Sequence, residues 1–471
     1  MAPPRRDDDL PIAALLAPDI MALLDEAPHE VAEETEEMHP ADLADVAAAI
    51  PRERVVDLLL ALGPDRAADV LEYLDEELRS EALESMSARQ AAQLVSAMTP
   101  DDRADVLDEL EEDVADEILS AIPVEARQET ERLLAYEPDT AGGLMTTEFV
   151  SVPQAQRVEE ALASVRAMAR SGRKEAMYTI YATDADGRVV GVLSLRELLA
   201  AAEGTTVGEL AWSEVVTVPA TAKREEIAQV TAKYDLVAVP VVDEQQRVLG
   251  VVTVDDVIDI IQEQQTEDVQ RLGGMEALDD PYMQTGFFTL LRKRAGWLTV
   301  LFIGELLTAV AMGHFEHEIA RAAVLALFIP LIISSGGNSG SQATSLLIRA
   351  LALRELRLRD WWKVAMRELP SGLLLGTILG TLGLVRVELW QALGLYDHGP
   401  HHLLIGFTVA GSLIGVVTFG TIVGAMLPFI LKRFGLDPAS ASAPLVATLV
   451  DVTGLLIYFS LALLLLSGTL L

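Results

Sequence analysis

The stretch from Pro444 to Leu466, PLVATLVDVTGLLIYFSLALLLL, constrains the chain more than any other. Its 23 residues, at about 1.5 Å each, make a helix long enough to cross a bilayer core of about 30 Å. From Pro438 to the C-terminus there is one charge, Asp451. A carboxylate at membrane depth costs on the order of 3 kcal/mol, so it faces water, a partner or an ion. It is either a structural group hydrogen-bonded to a neighbouring helix or a carboxylate that awaits a cation. The rest of the chain favours the cation.

Four further apolar spans, at 295–313, 319–345, 364–391 and 402–431, precede the last one. Arg292, Lys293 and Arg294 stand before the first. Arg349, Arg354, Arg357, Arg359, Lys363 and Arg367 surround the loop between the second and third, and Lys432 and Arg433 follow the fourth. The opposite ends carry Arg321 and Arg386. Basic residues collect on the cytoplasmic side, so the N-terminus is expected inside and the C-terminus outside a cell (inner) membrane. Of 72 acidic and 35 basic residues, 62 and 22 lie before Gln284, a net of −40 that gives way to +3 beyond it. So acidic a half argues against nucleic-acid binding and for an affinity for cations. Zero cysteines exclude disulfides and thiolate metal sites. The opening MAPPRRDDDLPIAAL has no sustained apolar run, and no signal peptide is expected.

The acidic half divides into segments. Residues 1–38 form an acidic N-terminal stretch. Over 39–136 a repeat recurs, HPADLADV at 39, GPDRAADV at 63 and TPDDRADV at 99, each unit a small N-capped helix too short to stand alone. Stacked, the units make an α-solenoid. Asp101, Asp102, Asp105 and Asp108 place three carboxylates on one helix face, either a solvated surface or a weak divalent site shared with another domain. Two copies of a strand–helix–strand–strand–helix pattern follow over 137–200 and 201–262. Asp184 and Asp243 are 59 residues apart, as are Gly191 and Gly250. This duplication resembles the tandem cystathionine-β-synthase (CBS) module. The likeness implies an adenine nucleotide such as ATP as a regulatory ligand in the central cleft, with Tyr178 and Asp184 as candidates. No GK[ST] phosphate loop is present, which points to sensing, not hydrolysis. A connecting helix over 263–283 continues a run of acids, Asp255, Asp256, Asp259, Glu263, Glu267 and Asp268, toward the first span.

In the membrane half, 284–471, the second span reads PLIISSGGNSGSQATSLLIR. Pro330, Gly336, Gly337 and Gly340 are expected to break a helix, which membranes tolerate only beside protein or a water-filled cavity. Freed carbonyls with Asn338, Ser341, Gln342 and Ser345 would offer the neutral oxygens that hard cations prefer. The other reading is a helix packed closely through small residues. Gly372, Gly376 and Gly380, and the pairs Gly411/Gly415 and Gly420/Gly424, read as packing faces.

SSGGNSGSQA, LDPASASAPLVATLVDVTG, the CBS pair and the acidic repeat together resemble the MgtE family of magnesium channels over nearly the whole chain. The resemblance implies a multidomain membrane protein: a cytosolic α-solenoid, a tandem CBS (α/β) domain, a linking plug helix and a five-helix all-α transmembrane domain, assembled as a homodimer. It implies Mg²⁺ uptake with negative feedback from cytosolic Mg²⁺. Asp451 would bind hydrated Mg²⁺ in the pore, and Asp437 would stand near the cytosolic pore mouth. Glu267 and Asp268 match the plug's acidic pair, and Asp101, Asp105, Glu225, Asp235, Asp256 and Asp259 its sensing acids. Ala443 departs from the Gly or Asn that relatives often place there, so a pore-lining side-chain ligand is missing. Two other classes compete. A membrane-anchored Mg²⁺ or nucleotide sensor would conduct nothing. An intramembrane metalloprotease needs a HExxH-type pair, and none of His314, His317, His398, His401 or His402 sits in one; no enzyme is expected.

Overall fold

The computed structural model describes residues 12–170, 178–278, 282–283 and 285–470. Parts of the expected 1–38 and 263–283 segments therefore lie outside the described residues. The chain divides into two units, Met1–Ile261 and Gln262–Leu471.

In the first unit the acidic repeat forms short helices: Pro40–Ala49, Arg52–Leu62, Pro64–Glu72 (α1), Glu76–Glu84, Ala88–Val95, Pro100–Glu109 (α2), Glu112–Ala121 and Val124–Leu133. Pro40, Pro64 and Pro100 open three of them, where the fixed φ suits the first turn and the missing N–H has no cost. Ser87 accepts from the Gln90 N–H at 3.4 Å and caps another. The helices pack against both their next and their next-but-one neighbours, which buries Leu43, Val46, Leu58, Leu71, Leu83 and Val95 in one core. The apolar stripe that is too narrow for an isolated helix thus becomes continuous on stacking.

The CBS pair builds two like sheets from β1 (Val150–Pro153), β2 (Thr179–Thr183) and β3 (Val189–Ser194), and from β4 (Val218–Pro219), β5 (Ala238–Val242) and β6 (Val248–Thr253). In each, the first two strands are parallel and the last two antiparallel. Ala182 faces Gly191 in one and Val241 faces Gly250 in the other, so the 59-residue duplication is also a duplication of register. Helix α3 (Arg224–Tyr234) belongs to the second copy, and α4 (Val254–Leu272) follows its last strand.

The second unit contains α5 (Phe287–His314), α6 (Ile329–Ala352), α7 (Trp361–Ala392), α8 (His402–Arg433) and α9 (Ala443–Leu466). All five, α6 with the short turn before it, are long and apolar enough to cross a membrane. Helix α6 is continuous, which corrects the expected break. Pro330 lies in its first turn, and the glycines serve contact with α8. A Cβ on Gly340 would stand 2.9 Å from the Gly420 carbonyl oxygen, and one on Gly336 would stand 3.1 Å from that of Val416. Such spacing lets backbones approach where lipid offers no hydrophobic drive between helices. Across the seam Ser339 and Thr421 share a 2.7 Å hydrogen bond, and the Thr344 hydroxyl donates to the Gly424 carbonyl at 2.8 Å. Gly376 and Gly380 do the same for α7, facing the carbonyls of Ile414 and Ala410. Helix α9 packs against α6 and α8 through Val446, Val450, Tyr458 and Phe459. The buried Tyr458 hydroxyl donates to the Leu325 carbonyl at 2.9 Å.

Candidate cation pathway and acidic clusters

Asp451 lies half-buried two turns into α9. Glu305 on α5 is within hydrogen-bonding reach of it. The approach depends on Gly304, where a Cβ would stand 2.8 Å from Thr448 Cγ2 on α9. Glu305 is the only acid between Phe287 and Gly313. The rule that singles out Asp451, a lone charge in an apolar span, would have found it too.

Asn338, Ser341, Gln342 and Ser345 fall at i, i+3, i+4 and i+7 and so share one face of α6. Asn338 and Gln342 are exposed in the single chain, and Ser341 and Ser345 are partly buried. Gly337, on the same side, lies against Ala447 of α9. The Ser341 hydroxyl donates to the Ala443 carbonyl at 3.4 Å, and that of Ser345 to the Ser341 carbonyl at 2.9 Å. Ala443 therefore meets the polar face through its backbone oxygen, a ligand type hard cations accept.

Where the chain turns into α9, Asp437 accepts from the Ala439 N–H at 2.9 Å and caps a single turn, Pro438–Ser440. Its other oxygen pairs with Arg271 near the end of α4. Arg271 also pairs with Glu267 at 3.2 Å. Burial, then repulsion from Asp437, pushes the Asp268 carboxyl up. The segment after α4 is tied down as well, with Lys293 Nζ donating to the Ala277 carbonyl at 2.6 Å, and Trp297 Nε1 of α5 donates to Ser442 Oγ before α9 at 3.2 Å. Glu267, Asp268 and Asp437 thus come together around a cation, Arg271, that acidic patterning alone does not single out. Its place at i+4 from Glu267 is the signal that could have found it.

The first unit gathers a second acidic group. Glu72 ends α1, Asp102 and Asp105 lie on α2, and Asp255 and Asp256 open α4. Burial, then Asp102, pushes Glu72 up to about 7. Burial, then Asp102 and Asp256, does the same for Asp105, which reaches about 7. Asp256 is also pushed up to about 7 by burial and by Asp255 and Asp102, against a 2.6 Å hydrogen bond from the Thr253 hydroxyl. Burial and Asp255 raise Asp259 as well. Asp101 is turned away from this group. It is 5% exposed and lies in the field of Arg103, whose guanidinium pairs with Glu129 at 3.2 Å. Glu225 and Asp235 are exposed at the two ends of α3, about 15 Å apart along its axis, so one chain does not bring them together.

Among the described residues no three His, Asp or Glu side chains converge into a ready shell for a bare ion. Spaced carboxylates instead suit Mg²⁺ that keeps several waters and takes one or two acids directly. Raised carboxyl groups fit the same chemistry, because buried acids that repel one another hold protons until a cation replaces them.

Between the CBS sheets a cleft of about 220 Å³ is lined by Tyr181, Ser194, Glu197, Trp212, Asp235 and Val237. Trp212 Nε1 donates to Glu197 at 3.1 Å. Tyr178 stands just outside, 74% exposed. Asp184 is not among the lining residues. Its Oδ1 accepts from the N–H groups of Asp186 and Arg188 at 2.9 Å, and Asp243 does likewise for Gln245 and Arg247. The duplicated aspartate is a turn cap.

An acidic solenoid, a CBS pair and five apolar helices, one of them with a polar face, define a multi-pass membrane protein. The profile of the MgtE family, described as divalent cation transporters, matches residues 329–461. The MgtE intracellular N domain matches 38–139, and CBS domains match 141–204 and 207–263. The chain belongs to the MgtE family. It is 44% identical to the magnesium transporter MgtE of Thermus thermophilus over 73% of each chain, and 34% identical to that of Enterococcus faecalis over 72% of each. A solved structure, the soluble part of a magnesium transporter, matches with a TM-score of 0.50 and 29% identity. That match covers 54% of this chain and 99% of the other.

Proposed function

We propose that the chain carries Mg²⁺ across the cell membrane into the cytoplasm, as a homodimeric channel or transporter that cytosolic Mg²⁺ closes. The observation that carries the reading is Asp451, a carboxylate on an apolar helix beside Glu305 and the polar face of α6. A two-fold assembly would bring two Asp451 groups together, where double ionisation is costly unless a dication sits between them. Asn338, Gln342 and the Ala443 carbonyl then suit the water shell of a hydrated ion. The basic ends of the helices support an N-terminus inside and a C-terminus outside.

Feedback rests on the two acidic groups. Ionised together, Glu72, Asp105 and Asp256 repel across the contact between α1, α2 and the start of α4. Neutralised by Mg²⁺, they hold that contact. At the mouth, Glu267, Asp268 and Asp437 respond to the same ion. Binding that favours the closed arrangement shifts the population toward it. An adenine nucleotide in the CBS cleft tunes this balance, with its ring against Tyr181 and Trp212 and its ribose near Asp235. Uptake into cells stripped of their own Mg²⁺ transport tests the reading. Restored growth at low Mg²⁺ is expected, and surface expression without any uptake would favour the non-conducting sensor.

A further inference from the structure

At the basic end of α7 and α8 the surface opens into a cavity of about 630 Å³. Trp361, Met426, Phe429 and Ile430 form apolar walls, and Arg359 and Arg433 stand at its rim. Trp361 is 48% exposed and Ile430 likewise 48%. Trp361 opens α7 and Arg433 closes α8, each helix 32 residues long. A bilayer core needs only about 20, so these ends reach the headgroup level. Tryptophan and arginine are the residues that settle there.

The two guanidinium groups make no salt bridge among the described residues. Asp360, next to Arg359 in the chain, is engaged by Lys363 at 2.7 Å. Two positive charges at the rim exclude a cation as the occupant. A soluble anion would use the arginines and leave the exposed apolar surface of Trp361 and Ile430 uncovered. A basic pocket between spans, with an apolar floor, matches a phosphodiester headgroup carrying an acyl chain.

We propose that this cavity binds an anionic glycerophospholipid, its phosphate between Arg359 and Arg433 and one chain along Trp361, Phe429 and Ile430. Phe429 also packs with Leu347, Leu351 and Val364, so the lipid braces α6, α7 and α8 at one end. The proposal rests on membrane insertion of the five helices and not on what they carry, so its failure leaves the transport reading standing.

The test is lipid retention by the full-length protein in native mass spectrometry, with phosphatidylglycerol and phosphatidylcholine supplied together. The wild type is expected to keep phosphatidylglycerol. Arg359→Gln and Arg433→Gln each weaken that retention about fivefold and the double variant about twenty-five-fold, with phosphatidylcholine unchanged. Undiminished phosphatidylglycerol in the double variant overturns the site, and so does its displacement by millimolar inorganic phosphate alone. A second readout covers misfolding of the arginine variants. Brominated phosphatidylglycerol should quench tryptophan emission more than brominated phosphatidylcholine, and Trp361→Phe should shrink the difference; equal quenching by both lipids contradicts the proposal. The chain has no native cysteine, so efficient crosslinking of Phe429→Cys between copies would assign the cavity to a second subunit and overturn the lipid.

Discussion

The Arg271 guanidinium pairs with the Asp437 carboxylate across 166 residues of sequence, joining the end of α4 to the turn that begins α9. It puts a fixed positive charge where Glu267 and Asp268 would otherwise repel Asp437. Arg271→Gln removes the pair and leaves three acids facing one another. The side chains are about a third exposed, which screens the interaction to about 1 kcal/mol. Half-inhibition of flux by internal Mg²⁺ is therefore expected to need about fivefold more Mg²⁺. An unchanged inhibition curve would remove the pair from gating.

The cluster of Glu72, Asp105 and Asp256 makes stability depend on pH. These carboxyl groups hold protons up to about 7 in the folded chain, whereas unfolded carboxylates release them near 4. The native state binds more protons in that interval, so stability falls as pH rises from about 4 through about 7. Thermal unfolding of the full chain without divalent ions should start lower at pH 8 than at pH 6. Millimolar Mg²⁺ should raise the onset more at pH 8. Equal Mg²⁺ gains at both values would count against the cluster as a cation site.

The α6–α8 seam leaves no room for a side chain at Gly336 or Gly340. Gly340→Val drives methyl groups into the Gly420 carbonyl and should cost about 1–3 kcal/mol by overpacking, read as a lower unfolding temperature in detergent. Gly313 is the control, since an added Cβ there would meet nothing within 4 Å. Gly313→Ala should leave the temperature where it was.

Tyr458→Phe deletes the hydroxyl that meets the Leu325 carbonyl while keeping the ring. A buried carbonyl without its donor costs about 1–3 kcal/mol. The loss should appear as reduced resistance to denaturant, with the secondary structure of the folded state unchanged.

Much of this was legible in the sequence because it is local or periodic. Asp451 stands out since charge in an apolar span is expensive, and the CBS copies declare themselves through a constant 59-residue offset. The acidic repeat reads through its recurring Pro–Asp starts. What escaped depends on long-range contact. Glu72 meets Asp256, and Arg271 meets Asp437, only after folding. The glycines of α6 were expected to break the helix on intrinsic propensity, but tertiary packing decides otherwise: the missing Cβ atoms of Gly336 and Gly340 make room for carbonyls of α8. Asp184 and Asp243 repeat in position where two like turns use the same cap.

The most direct measurement is Mg²⁺ flux into proteoliposomes holding the wild type, Asp451→Asn or Glu305→Gln, with Mg²⁺ varied on the cytosolic face. Wild-type flux is expected to fall as that Mg²⁺ rises. Asp451→Asn should abolish flux, and Glu305→Gln, its neighbour, should reduce it by at least tenfold, the effect of about 1.4 kcal/mol. Full flux in Asp451→Asn would contradict a pathway through this carboxylate.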